Sequence, residues 1–296
     1  MNSIDIESKK FLGQPKNFVS IFNALLFDGQ QVLKPEYLKD ENSELVMNVS
    51  SKHVDIIKRY EDGTYLDLFV IESQSYVDPS MVARVMEYES VARMRYIRQN
   101  FKKHVPMYTR LPMILTVVLY VGESKWNAAK RLSELEIIHP GFEDMFNEFK
   151  LNLIELNTNH KYNTGEKATQ DFFDLLRMIY RKQILKEDLD REFNRDALYF
   201  AYVVTKNKEL LNIYQESEKG DVKVCRALDE MFEESTNKGI QMGIKQGITQ
   251  GIECGVKNTQ IKIAINMLVR NDQTLEEISE IVGLDLNALR ELKKSI

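Results

Sequence analysis

Residues 54–74, VDIIKRYEDGTYLDLFVIESQ, carry the pattern of a β-hairpin. Two runs rich in β-formers, VDIIKRY and YLDLFVI, flank EDGT, and Asp-Gly is a strong signal for a tight hairpin turn. With Asp62 and Gly63 as a two-residue loop, Glu61 faces Thr64 and Asp55 faces Val70. Residues 17–27 place Phe18, Ile21, Phe22, Leu25 and Leu26 at helical spacing, and Asp28 and Gly29 end that helix. Residues 41–52 are either loose or a first edge strand. Asp78 as N-cap and Pro79 at the first helical position open a helix that runs to about Phe101. Residues 114–120, ILTVVLY, form a continuous apolar run suited to a buried central strand. Residues 151–156 predict another strand. From Glu166 onward the spacing of Phe172, Leu175, Leu176 and Ile179, and of Leu198, Tyr199, Tyr202 and Val203, is helical.

Composition narrows the classes. The chain has 296 residues, 43% of them hydrophobic and 29% charged, the ordinary balance of a globular protein. No apolar run is long enough to predict a membrane span. The first residues, MNSIDIESKK, lack the apolar centre of a secretory signal. Cys225 and Cys254 have no partner at ligand spacing, which argues against a zinc site or disulfide framework and fits a reducing cytoplasm. His53, His104, His139 and His160 share no metal or triad spacing. The net charge of −5 speaks against coating DNA by overall charge, but leaves room for a local basic track.

The chemistry lies in the hairpin. Side chains alternate along a strand, so Glu72 and Gln74 share a face, and Asp55 reaches the same face from the neighbouring strand as a diagonal neighbour of Glu72. Two carboxylates held this way suit Mg²⁺ or another hard divalent cation, which takes oxygen ligands and can activate water for phosphodiester cleavage. Gln74 can donate to a phosphate oxygen or position a water, but cannot serve as a cation. The alternative is a pair of ordinary solvated strand carboxylates.

Several blocks then occur in a familiar order: FNALLFDGQQVLKP from Phe22, VDII from Val54, IESQS from Ile71, DPSMVARVMEY from Asp78 and LPMILTVVLYVGESKW from Leu111. With the glycine-periodic tail, this ordered set resembles the transposase-like, PD-(D/E)XK-type family of recombination-promoting nucleases, called Rpn. The resemblance implies an α/β core of αβββαβ order and a metal-dependent DNA endonuclease. It assigns Asp55 as the first acid and Glu72 as the acid of an E-x-Q element, with Gln74 where wider PD-(D/E)XK enzymes carry lysine. Asp55, Glu72 and the Ser73 carbonyl would hold the metal. A further residue on the first helix is implied, with Asn23 and Asp28 as candidates.

The helix after Pro79 carries Arg84, Arg95, Arg98 and Lys102 at offsets near one helical face. This stripe reads either as phosphate-contacting or as a solvated face interrupted by Glu87 and Glu89. Further on, Gly239, Gly243, Gly247, Gly251 and Gly255 recur every four residues with an Ile or Val after each. The polar background excludes a membrane dimer motif and leaves a self-associating helix or a linker. Residues 274–292 resemble a helix-turn-helix with a Thr274–Glu277 capping box, although its second helix opens on Leu286, Asn287 and Ala288, a poor surface for reading bases. The expected organisation is a nuclease core over 1–160, a helical subdomain over 161–235, a glycine-periodic helix or linker over 236–262 and a small helical hairpin over 263–296. Expected partners are DNA and further copies of the chain. The competing reading is a non-catalytic DNA-binding or self-associating protein on the same fold.

Overall fold

The computed structural model describes residues 3–40, 56–63, 66–101, 103–217 and 220–296. The described chain divides into two compact units, Met1–Asp229 and Glu230–Ile296.

The first unit is built on a five-stranded mixed sheet. It opens with two helices, α1 (Ser3–Leu12) and α2 (Pro15–Phe27). The strands follow: β1 (Leu38–Asp40), β2 (Ile56–Glu61) and β3 (Leu66–Gln74). Helix α3 (Met81–Asn100) then leads to β4 (Ile114–Tyr120) and β5 (Asn152–Glu155). The strands lie in sequence order, antiparallel from β1 to β3 and parallel from β3 to β5. β4 lies between β3 and β5, and six of its seven residues are buried. A strand paired on both edges and covered on both faces needs the unbroken apolar run seen at 114–120.

The hairpin register differs from the expected one by two residues. Ile57 pairs with Val70 and Glu61 with Leu66, so the register leaves four residues between the paired positions where the Asp-Gly turn predicts two. Gly63 sits at φ +89°, in the region that favours glycine, so the local signal is used within a longer loop. The first edge strand is β1, before the 41–52 segment. That segment and Asp55 lie outside the described residues.

The two faces of the sheet are covered by different helices. α3 lies over the face bearing Ile57, Leu68, Val70 and Ile114, with Tyr88 and Ala92 in that cluster. Met81, Val82 and Val85 pack further along against Val118 and Tyr120. On the opposite face Phe22 of α2 meets Phe69, ring centroids 4.8 Å apart. Beyond it come α4 (Lys167–Arg181), α5 (Arg195–Thr205) and α6 (Lys208–Glu216), with a two-stranded sheet of β6 (Glu192–Phe193) and β7 (Val222–Lys223). Phe11, Phe172 and Phe200 join α1, α4 and α5 through contacts of 4.5–5.6 Å. Residues 161–229 therefore share a compact unit with the sheet. Arg191 ties this region together from the side, reaching Asp171 at 2.7 Å and Asp174 at 2.9 Å.

Helix α7 (Cys225–Arg270) continues through all five periodic glycines. In the second unit, α8 (Leu275–Val282) and α9 (Leu286–Lys294) close on the end of α7 through Ala264, Leu268, Ile278, Val282 and Leu289. The Thr274–Glu277 capping box is formed, and Gly283 takes the left-handed turn between α8 and α9 at φ +71°.

Candidate functional site

Three parallel strands end side by side, with Gln74, Tyr120 and Glu155 in register. In sheets with parallel strands, ligand sites form beyond the carboxyl ends of the strands. Glu72 and Gln74 lie here on the face covered by α3, because strand side chains alternate and Val70 of the same parity packs against that helix. Both are buried, at 3% and 4% exposure.

A carboxylate this deep requires compensation. It comes from α3. Arg84 Nη2 donates to Glu72 Oε1 at 2.8 Å, and Arg84 Nη1 donates to Asp78 Oδ2 at 2.6 Å. Nε and Nη2 also donate to the Tyr88 hydroxyl at 3.0 and 2.8 Å. Asp78 Oδ1 accepts from the Ser80 amide at 2.9 Å and the Ser80 hydroxyl at 2.6 Å. This bracing fixes Asp78 just before α3, whose N-cap is Ser80 rather than Asp78. The helical spacing of Arg84 and Tyr88, four residues apart, puts both on the sheet-facing side.

The titration behaviour follows from this packing. Burial would raise Asp78, but the Ser80 hydroxyl and amide and the Arg84 guanidinium outweigh it and hold the carboxyl below its usual value. Burial would lower Arg84, yet its hydrogen bonds to Asp78 and Tyr88 and the Glu72 charge keep it firmly protonated. Burial and the neighbouring Glu72 charge push the Tyr88 hydroxyl upward.

Gln74 differs from Glu72. Its Nε2 is buried with no hydrogen-bond partner, an amide donor left over where a ligand or water could accept. Glu155, on the same face of β5, accepts from the Trp126 amide at 2.7 Å and lies 3.4 Å from Lys130 Nζ.

The basic stripe needs a correction. Arg84, Arg95 and Arg98 lie along α3, but Arg84 is turned to the sheet, and its guanidinium is committed to Glu72 and Asp78 with 14% of the side chain exposed. Arg84 is therefore engaged inside the cluster and is not part of an exposed basic stripe. Arg95 is half-buried and Arg98 exposed, while Lys102 lies outside the described residues. Of the first-helix candidates, Asn23 is fully buried and holds the Leu33 backbone from both ends of its amide, each bond at 2.9 Å. Asp28 occupies the left-handed C-cap of α2. Sequence reasoning missed Asp78 and Tyr88 as partners of this site. The signal was present as a carboxylate six residues before Arg84 and a tyrosine four after it.

The family described as putative transposase, YhgA-like, matches residues 9–210. The chain belongs to this family. The match covers the whole sheet, the Glu72–Arg84–Asp78 cluster and α4 and α5, and it stops before α7. The family description connects the chain with work on DNA. No curated protein and no solved structure matches the chain. Among the described residues, no helix is long and apolar enough to cross a membrane, and no three His, Cys, Asp or Glu side chains form a metal-binding group.

Proposed function

We propose that the chain is a metal-dependent DNA endonuclease with a PD-(D/E)XK-type core, of the recombination-promoting kind, acting at the carboxyl end of β3. The observation that carries this reading is the buried Glu72 two residues before Gln74, whose amide donor has no protein partner, in a chain of a transposase-like family. The donor set is of hard oxygen type and fits Mg²⁺: Glu72, the Ser73 carbonyl and Asp55, which precedes the first residue of β2. Bound there, the ion would supply an activated water and charge stabilisation for the cleaved phosphodiester. Glu72 would keep its orientation through β3 and its packing under α3. Gln74 Nε2 would donate to a phosphate oxygen or to the attacking water. Arg95 and Arg98 would meet the DNA backbone beyond the site.

A second reading, a DNA-binding protein that keeps this fold without cleaving, is favoured by one observation: Glu72 already holds an arginine. Plasmid DNA incubated with Mg²⁺ and with EDTA separates the two. Metal-dependent nicking supports the nuclease, whereas retention of the DNA without nicking supports the second reading. Gln74→Lys extends the test. It should retain or increase nicking if position 74 needs only a group that stabilises phosphate charge.

We also propose a second copy of the chain as a partner. Ile240, Ile244, Ile248, Ile252 and Val256 of α7 are all more than half exposed, and a Cβ added to any of the five glycines beside them would meet nothing within 4 Å. Residues four apart form a ridge inclined to the helix axis, and two such ridges interdigitate at about −50°. The small glycines would let the helices approach closely at that crossing.

A further inference from the structure

The cation beside Glu72 comes from α3, while position 74 carries only an amide. Arg84 joins two buried carboxylates, Glu72 at 2.8 Å and Asp78 at 2.6 Å, and all three of its guanidinium nitrogens are engaged. Asp78 is held independently by Ser80, so its grip on Arg84 does not depend on Glu72. A divalent cation on Glu72 would sit within a few ångströms of this guanidinium. The two positive charges compete for one carboxylate.

We propose that Arg84 is a displaceable counter-ion of Glu72: it neutralises the carboxylate until a divalent cation binds, and Asp78 then keeps the guanidinium beside the site. Tyr88 adds an uncharged anchor beside the Asp78 carboxylate, since its hydroxyl accepts from Nε and Nη2. Glu72 can change partners while the Arg84 contacts to Asp78 and Tyr88 persist. The freed Nη2 then stands next to the place where the scissile phosphate would lie, and supplies the positive charge that Gln74 lacks. Arginine suits this task because its planar fork holds a carboxylate and a phosphate with equal ease. The inference rests on the metal reading of this site.

Two substitutions with opposite expected signs test it, with Ca²⁺ binding to the full-length chain read by isothermal titration calorimetry in the absence of DNA. Arg84→Gln removes the competing charge and should tighten Ca²⁺ binding about tenfold, because repulsion between charges a few ångströms apart in a buried site reaches that size. Asp78→Asn keeps the Ser80 contacts but removes the charge that shares Arg84 with Glu72, so it should weaken Ca²⁺ binding severalfold. A purely structural role for the cluster would weaken binding in both variants or change neither. Equal or weaker binding by folded Arg84→Gln overturns the displacement. If Arg84→Gln does not fold, unchanged or tighter binding by Asp78→Asn overturns it. A parent chain that binds no Ca²⁺, with Glu72→Gln alike, overturns the metal reading itself and this inference with it. Ca²⁺ binding by the parent that Glu72→Gln loses, without the opposite signs, sinks only the inference.

Discussion

The β3–α3 layer and the α7 stripe handle their side chains in opposite ways. In the first, charged groups are buried against one another: Glu72 and Asp78 share Arg84, and Tyr88 closes the cluster. In the second, apolar groups are exposed, with Ile240 to Val256 standing in solvent beside glycines that touch nothing. A buried charge cluster is costly unless each charge is paired, so removing one member should leave another buried and uncompensated. The exposed apolar stripe of α7 is the reverse: five glycines lower the intrinsic stability of that helix, and contact with a second copy, as proposed above, would offset the loss. One region satisfies its charges within a single chain, and the other leaves apolar side chains exposed.

The largest effect should come from breaking the scaffold behind the first region. Phe172 is fully buried between Phe11 and Phe200, and Phe172→Ala should cost about 3–5 kcal/mol in urea unfolding, as such truncations do. A cost under 1 kcal/mol would mean that Phe172 does not join α1, α4 and α5 in one core.

The next prediction inverts the sign. Alanine at Gly243, Gly247 and Gly251 adds three methyls that meet nothing within the chain. Each should stabilise an isolated α7 by about 0.8–1.0 kcal/mol. The same methyls should obstruct a crossing second copy. The triple variant should therefore melt at a higher temperature by circular dichroism while sedimenting as a smaller species than the parent. Self-association that survives the triple substitution would assign the contact to another surface.

A smaller effect sharpens the description of the buried cluster. Asp78 has a lowered pKa in the folded state, so its contribution to stability is present above the ordinary aspartate value and is lost as pH falls through the lowered one. Asp78→Asn should flatten the decline in unfolding free energy as pH falls below about 4, relative to the parent. Parallel acid limbs in the two proteins would mean that the Ser80 and Arg84 contacts do not hold the carboxylate in solution.

Much of this was legible from pattern, for reasons that differ by element. Residues 114–120 are apolar throughout because β4 is paired on both edges, and the strand has the expected bounds. The capping box and Gly283 fixed α8 and its turn through local hydrogen bonds and backbone freedom alone. The hairpin register was not legible, since Asp-Gly signals a turn but not the length of the loop around it. The role of Arg84 was hidden for a related reason. A helix face can be read from spacing, yet whether that face meets water or a sheet depends on how α3 docks on the strands, which spacing does not carry. Glu72 and Gln74 fall where strand parity put them, on one buried face. Asp55 lies outside the described residues, and its part in the site rests on the proposal.

The central claim is that Glu72 belongs to a site that hydrolyses DNA with a divalent metal. It is tested most directly by plasmid nicking with Mg²⁺, comparing the parent with Glu72→Gln, which keeps the shape and removes the charge. The expected result is nicking by the parent that EDTA stops, and none by a folded Glu72→Gln protein. Nicking by Glu72→Gln at the parent's rate would contradict the assignment.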